Sequence, residues 1–264
     1  MKILIPSDFS ANAQLAADFA IMTFGLTEAE YVLLNLYHEP HAAATSMISL
    51  VDIAMQDSRN SLKEESERLI KTHGQNLQLR TISEYGEGGR KISLIASAEA
   101  CDLIIMGTKG ATGLKEVLVG SVASDTINAS KVPVLMIPED SAPNEFRSWL
   151  VAIDEMNSSE LLKPVRSMAT LFNAGLSFLK ITKGVPGHTN GLDHRPSYLM
   201  STESYTEYSA EDPVNGINDY IKKNKADLLV MFPGNHGFLD RLFKRSTTGK
   251  MAMHTNVPLL TVHK

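Results

Sequence analysis

The amino-acid sequence predicts an α/β protein: two tandem, doubly wound parallel-sheet domains in one chain of 264 residues. The first observation behind this is an internal repeat. Residues 101–138 align without a gap on residues 226–263, with identities at Asp102/Asp227, Leu103/Leu228, Met106/Met231, Leu114/Leu239, Ser121/Ser246, Val132/Val257, Pro133/Pro258 and Leu135/Leu260. The second is that each copy opens alike. Ile3-Leu4-Ile5-Pro6-Ser7-Asp8 resembles Leu150-Val151-Ala152-Ile153-Asp154, and a helical pattern follows both. The third is an alternation of short Val/Ile/Leu-rich runs with helical stretches. Runs of that kind are buried on both faces of a parallel sheet, and short connections between them imply right-handed crossovers.

Taken in order, the first copy has strands expected near 2–6, 31–37, 77–83, 102–107 and 133–137. Helical patterns fall at 11–25, 57–74, 88–99 and 121–130. The polar segment 139–145 carries a proline and reads as the linker. This places the first domain at 1–140 and the second at 146–264. The second copy has strands expected near 149–153, 175–182, 202–208, 227–232 and 257–262. Its second crossover differs. Between Thr182 and Thr202 lie three glycines and two prolines with no helical period, so the helix there is lost or stunted.

Composition narrows the function. With 43% apolar and 21% charged residues the chain can bury a full core. A formal net charge of −5 argues against a nucleic-acid binder, which would carry a basic face. The single cysteine, Cys101, excludes an intrachain disulfide and a zinc cluster, and its apolar neighbours make it a core thiol. No run approaches the ~18 apolar residues of a membrane span. The apolar stretch before Pro6 is shorter than the roughly 7–15 residues of a signal-peptide core, so a cytoplasmic location is expected.

The chemistry concentrates in Gly107-Thr108-Lys109-Gly110, followed after nine residues by Gly120-Ser121. The segment begins where a strand ends and finishes where a helix begins. Glycines there expose backbone N–H groups and admit a ligand where a Cβ would block it. Ser121 is placed to cap the helix, whose N-terminus adds partial positive charge. Such a loop suits phosphate. Asp8, at the end of the first strand, would lie on the same sheet edge and could accept hydrogen bonds from a ribose or adenine.

The spacing G-x2-G-x9-G-[ST], the opening strand ending in Pro6-Ser7-Asp8-Phe9-Ser10, and the closing Val132-Pro133-Val134 together resemble the universal stress protein family in its tandem form. The resemblance covers nearly the whole chain. It implies a Rossmann-like fold of the adenine nucleotide alpha hydrolase type, an adenine nucleotide as ligand (usually ATP, with Mg as an optional companion), a regulatory role in stress response, and dimerisation through the last strand. On the family's pattern Pro6, Ser7 and Asp8 would hold the nucleoside and Leu36 would pack on the base. Met106, Gly107, Gly110, Gly120, Ser121 and Val122 would surround ribose and phosphates. Because the chain contains two copies, their closing strands would pair as an internal pseudo-dimer, and a homodimer is also compatible.

The second copy departs from this pattern. Phe232, Asn235 and Arg245 stand where the first has Gly107, Gly110 and Gly120. Gly234 and Gly237 are spaced alike but shifted by two residues. The second half therefore reads as a degenerate partner. His188, Asp193 and His194 share a glycine-rich loop but are assigned no metal, and Ser246–Met251 lacks the leading glycine and the Ser/Thr of a phosphate-binding Walker loop. No side chain is placed to activate an attacking water, so no catalytic residue is assigned. Two other readings stay open: a slow ATP-hydrolysing or adenylating enzyme on the same fold, and a nucleotide-free interaction protein.

Overall fold

The computed structural model describes residues 1–26, 28–39, 50–108, 120–141, 146–153, 158–184, 189–190, 195–232 and 257–263. They form two compact units divided in sequence between Glu139 and Asp140. Unit 1 contains β1 (Lys2–Pro6), α1 (Ala11–Phe24), β2 (Glu30–Tyr37), α2 (Leu50–His73), β3 (Leu79–Tyr85), α3 (Gly88–Ala98), β4 (Leu103–Gly107), α4 (Ser121–Ala129) and β5 (Val134–Ile137). Its strands lie in the order β3-β2-β1-β4-β5, and every ladder between them is parallel. The chain winds outward from β1 to β3, then returns past β1 to β4 and β5. The order thus reverses beside β1, where a doubly wound sheet opens a crevice at its carboxyl edge.

The apolar runs form strands because burial on both faces rewards them: Ile3, Leu4, Ile5, Leu103, Ile104 and Ile105 are all fully buried. α1 lies close to the sheet through small residues, with Ala16, Ala17 and Ala20 fully buried. Its ends are set by Ser10, whose Oγ accepts from Ala13 N–H, and by Gly25 at φ +81°. α1 and α2 are joined by Arg68, which donates to both Asp18 and Glu65.

Two boundaries differ from expectation for definable reasons. α2 starts seven residues before the expected position 57 because its first turns bury nothing completely; its buried face begins at Ser58. An apolar stripe therefore cannot mark the true start. β3 spans Leu79–Tyr85 rather than 77–83, because Leu77 is buried ahead of the ladder.

Unit 2 contains β6 (Ser148–Ile153), α5 (Ser159–Leu171), β7 (Gly175–Thr182), β8 (Thr189–Asn190), β9 (Ser204–Ser209), α6 (Pro213–Asn224), β10 (Leu228–Met231) and β11 (Leu259–Thr261). Its order is β11-β10-β6-β7-β9-β8, parallel except for the antiparallel β8/β9 pair. Without β8 this is the strand order of unit 1. Unit 1 crosses from β2 to β3 through a 24-residue helix. The described residues between β7 and β9 hold no helix; the short β8 lies there instead. Glu203, just before β9, is held by Arg166 of α5 through contacts of 2.7 and 2.9 Å.

Candidate functional site

At the carboxyl edge of the unit 1 sheet, beside the switch in strand order, lies a cavity of about 440 Å³. Of the ten residues expected to form a site, nine line it: Pro6, Ser7, Asp8, Leu36, Met106, Gly107, Gly120, Ser121 and Val122. Gly110 lies outside the described residues, as do Asp154, His188, Asp193, His194, Gly234, Asn235, Gly237, Arg245 and Ser246–Met251, and residues 142–145 of the linker.

The turn after β1 is held by its own short side chains. Ser7 N–H donates to Leu34 O at 2.8 Å, and Asn35 Nδ2 donates to Ser7 O at 2.7 Å. Ser7 Oγ accepts from Phe9 N–H, and Asp8 Oδ1 accepts from Ser10 N–H, each at 3.1 Å. These bonds support Phe9 at φ +61°, a conformation that L residues other than Asn and Asp rarely adopt. The result places the exposed Asp8 at the cavity rim.

On the opposite side, β4 ends at Gly107 and α4 begins at Ser121. Gly120 N–H donates to Thr108 O at 2.7 Å, closing the loop at its base. The helix cap is Gly120, not Ser121, and it supplies no side-chain hydrogen bond. Ser121 is instead the first helical residue and is exposed. A helix begun this way has first-turn N–H groups that its own cap residue does not satisfy, at the cavity wall, where partial positive charge favours an anion.

Gly107 has a different explanation from the one its motif suggests. A Cβ there would meet the backbone oxygen of Asn12 at 2.9 Å and its carbonyl carbon at 3.2 Å. The glycine is required by close packing of β4 on α1, whatever approaches from the cavity. Phe232, its counterpart in unit 2, is buried.

Sequence reading missed part of the wall. Asn35, His38, Ile92 and the Gly86-Glu87-Gly88 turn also line the cavity. Gly86 and Gly88 have φ of +144° and +79°, so the G-E-G triplet after β3 was the available signal. Among the described residues no group of three His, Cys, Asp or Glu side chains could hold a metal ion.

The universal stress protein family model matches residues 1–138 and 201–263. Universal stress protein MJ0577 of Methanocaldococcus jannaschii is 31% identical over 151 residues, covering 52% of this chain and 93% of that protein. Universal stress protein YxiE of Bacillus subtilis is 28% identical over 144 residues, covering 52% of this chain and 97% of that protein. Over the full length, a crystal structure of a universal stress protein from Archaeoglobus fulgidus shares the fold with a TM-score of 0.71 at 18% identity, covering 100% of this chain and 96% of that one. A sheet that reverses its strand order beside β1, a glycine-ended loop entering α4, and a family match over both ends of the chain lead to one conclusion: the chain belongs to the universal stress protein family.

Proposed function

We propose that unit 1 binds an adenine nucleotide, with ATP as the foremost candidate, and that the protein is a cytoplasmic regulatory module of the stress response. The observation that carries this is the cavity where the strand order reverses, lined by both apolar and polar residues. Leu34, Leu36 and Ile92 offer a surface for a base, while the Gly120–Ser121 turn opens a helix N-terminus for phosphate. Pro6, Ser7 and Asp8 would hold the nucleoside between them. Met106, Gly107, Gly110 and Val122 would complete the enclosure, and Mg could accompany the phosphates.

The closing strands β5 and β11 are proposed to stabilise the halves as an internal pseudo-dimer. Separately expressed halves should then be less soluble than the intact chain, and a well-behaved monomeric first half would contradict it.

Mass spectrometry of ligand carried through purification tests the main reading, followed by titration of the stripped protein with ATP. Retention of an adenine nucleotide, or tight rebinding, is the expected result. A protein that neither retains nor rebinds one is an interaction module of another kind. Turnover at ~1 s⁻¹ or faster would mark an enzyme instead.

A further inference from the structure

Five helices have a described N-terminal cap, and they fall into two groups. α1, α5 and α6 are each capped by their own side chain: Ser10 accepts from Ala13 N–H, Ser158 from Leu161 N–H and Asp212 from Asn215 N–H. α3 and α4 are not. Glu87 and Gly120 hold their cap positions without a side-chain hydrogen bond, and these two helices begin at the cavity wall. The α3 deficit is met from across the helix pair, where Arg90 N–H donates to Asp125 Oδ2 of α4 at 3.1 Å.

The same first turn rests on α4 backbone. A Cβ at Gly89 would fall 2.0 Å from Thr126 N, and Ser93 Oγ donates to Gly89 O at 2.9 Å and reaches Thr126 O at 3.4 Å. Gly86 is held to β2, its N–H donating to Tyr37 O at 2.9 Å. Gly88, at positive φ, is the first residue of α3, so its place in the wall follows from whatever holds that helix. Asp125 follows Ser121 by about one helical turn, so the residue holding α3 is rigidly tied to the start of α4.

We infer that Asp125 is a positioning residue of the cavity: it clamps the first turn of α3 to α4 and so fixes the part of the wall that α3 carries, Gly88 and Ile92, relative to the Gly120–Ser121 turn. The clamp also answers the partial positive charge of the α3 N-terminus within the protein. The inference rests on the nucleotide reading above. Under it, Asp125 acts on the nucleoside end of the ligand while touching neither end.

The test compares wild type, Asp125→Ala and Asp125→Asn with two probes: ATP and inorganic tripolyphosphate, which can engage only the phosphate end. Asp125→Ala should weaken ATP about 5-fold, the size of one lost helix cap. Asp125→Asn keeps an acceptor oxygen and should restore ATP binding to within about 2-fold, and tripolyphosphate should bind all three proteins within about 2-fold. Amide exchange should quicken at Arg90 in Asp125→Ala, while Ser124, bonded to Gly120 O at 3.0 Å, keeps its protection and reports an intact α4. Unchanged ATP affinity in Asp125→Ala, or a parallel loss of both probes, would overturn the inference while leaving the nucleotide reading in place. Wild-type protein that binds no ATP would remove that reading and the inference with it.

Discussion

Asp102 accepts the backbone N–H of Lys2 on Oδ2 at 2.7 Å, tying the start of β4 to the start of β1. Its repeat counterpart Asp227 does the same in unit 2, accepting from Arg147 N–H at 2.8 Å and Ser148 N–H at 2.9 Å. This explains why the first identity of the repeat is an aspartate. A carboxylate is the acceptor that meets the N–H groups entering a parallel strand from a neighbouring loop. Asp102→Ala and Asp227→Ala should each destabilise the unit that contains them by about 1–3 kcal/mol, with Asp227 at the upper end, measured by urea unfolding.

The pH dependence at Asp227 is distinctive. Burial pushes its carboxyl above the ordinary aspartate range, against the backbone hydrogen bonds from Ser148 and Arg147. A group whose folded pKa is raised contributes stability below its unfolded pKa and loses it as pH rises through the folded value. The stability of wild type relative to Asp227→Asn should therefore fall as pH rises from the ordinary aspartate pKa of about 3.9 upward. A difference that rises over that range would contradict the assignment.

Glu203 should behave with the opposite sign. Burial pushes its carboxyl up, but hydrogen bonds from Arg166 and from Met200 N–H outweigh it and hold the group below the usual range. Its contribution is present above the unfolded pKa and is lost as pH falls through the folded one. Relative to Glu203→Gln, wild type should gain stability as pH rises through the acid range up to the ordinary glutamate pKa of about 4.3. Arg166→Ala removes the ion-pair partner of a carboxylate with only 10% side-chain exposure, leaving it the Met200 N–H at 2.8 Å. It should cost about 3 kcal/mol and loosen the 195–203 segment, readable as faster amide exchange at Met200.

Gly107 and Gly120 should separate packing from binding. Gly107→Ala forces a methyl group against the Asn12 backbone and should destabilise the ligand-free protein by about 1–3 kcal/mol. Gly120→Val should abolish nucleotide binding with an unchanged melting curve of the ligand-free protein. Melting curves beside ATP titrations of both variants provide the check, and unchanged affinity in Gly120→Val would mean the phosphate end is misassigned.

Stoichiometry distinguishes the halves. One adenine nucleotide per chain is expected, held by unit 1, because Arg245 stands in the second copy where Gly120 would admit the phosphates in the first. Asp8→Ala should weaken binding about 10–100-fold, the loss of one or two charged hydrogen bonds. Isothermal titration finding two equivalent sites, or binding that survives Asp8→Ala but is lost with Asp154→Ala, would assign the ligand to the other half.

The sequence by itself determined the α/β class, the repeat and most of the strands, because a strand buried on both faces must be apolar whatever surrounds it. It also pointed to nine residues that line the cavity, since residues at the carboxyl ends of β1, β2 and β4 meet at the strand-order switch, but not to Asn35, His38, Ile92 or the Gly86–Gly88 turn. Only the tertiary structure decided the rest. The start of α2 was invisible because its first turns leave no buried stripe to mark it. That Gly107 answers to Asn12, and that Arg90 of α3 is capped by Asp125 of α4, depends on contacts between elements distant in sequence. Local patterns record which face of an element is buried; they do not record which backbone lies a van der Waals radius away.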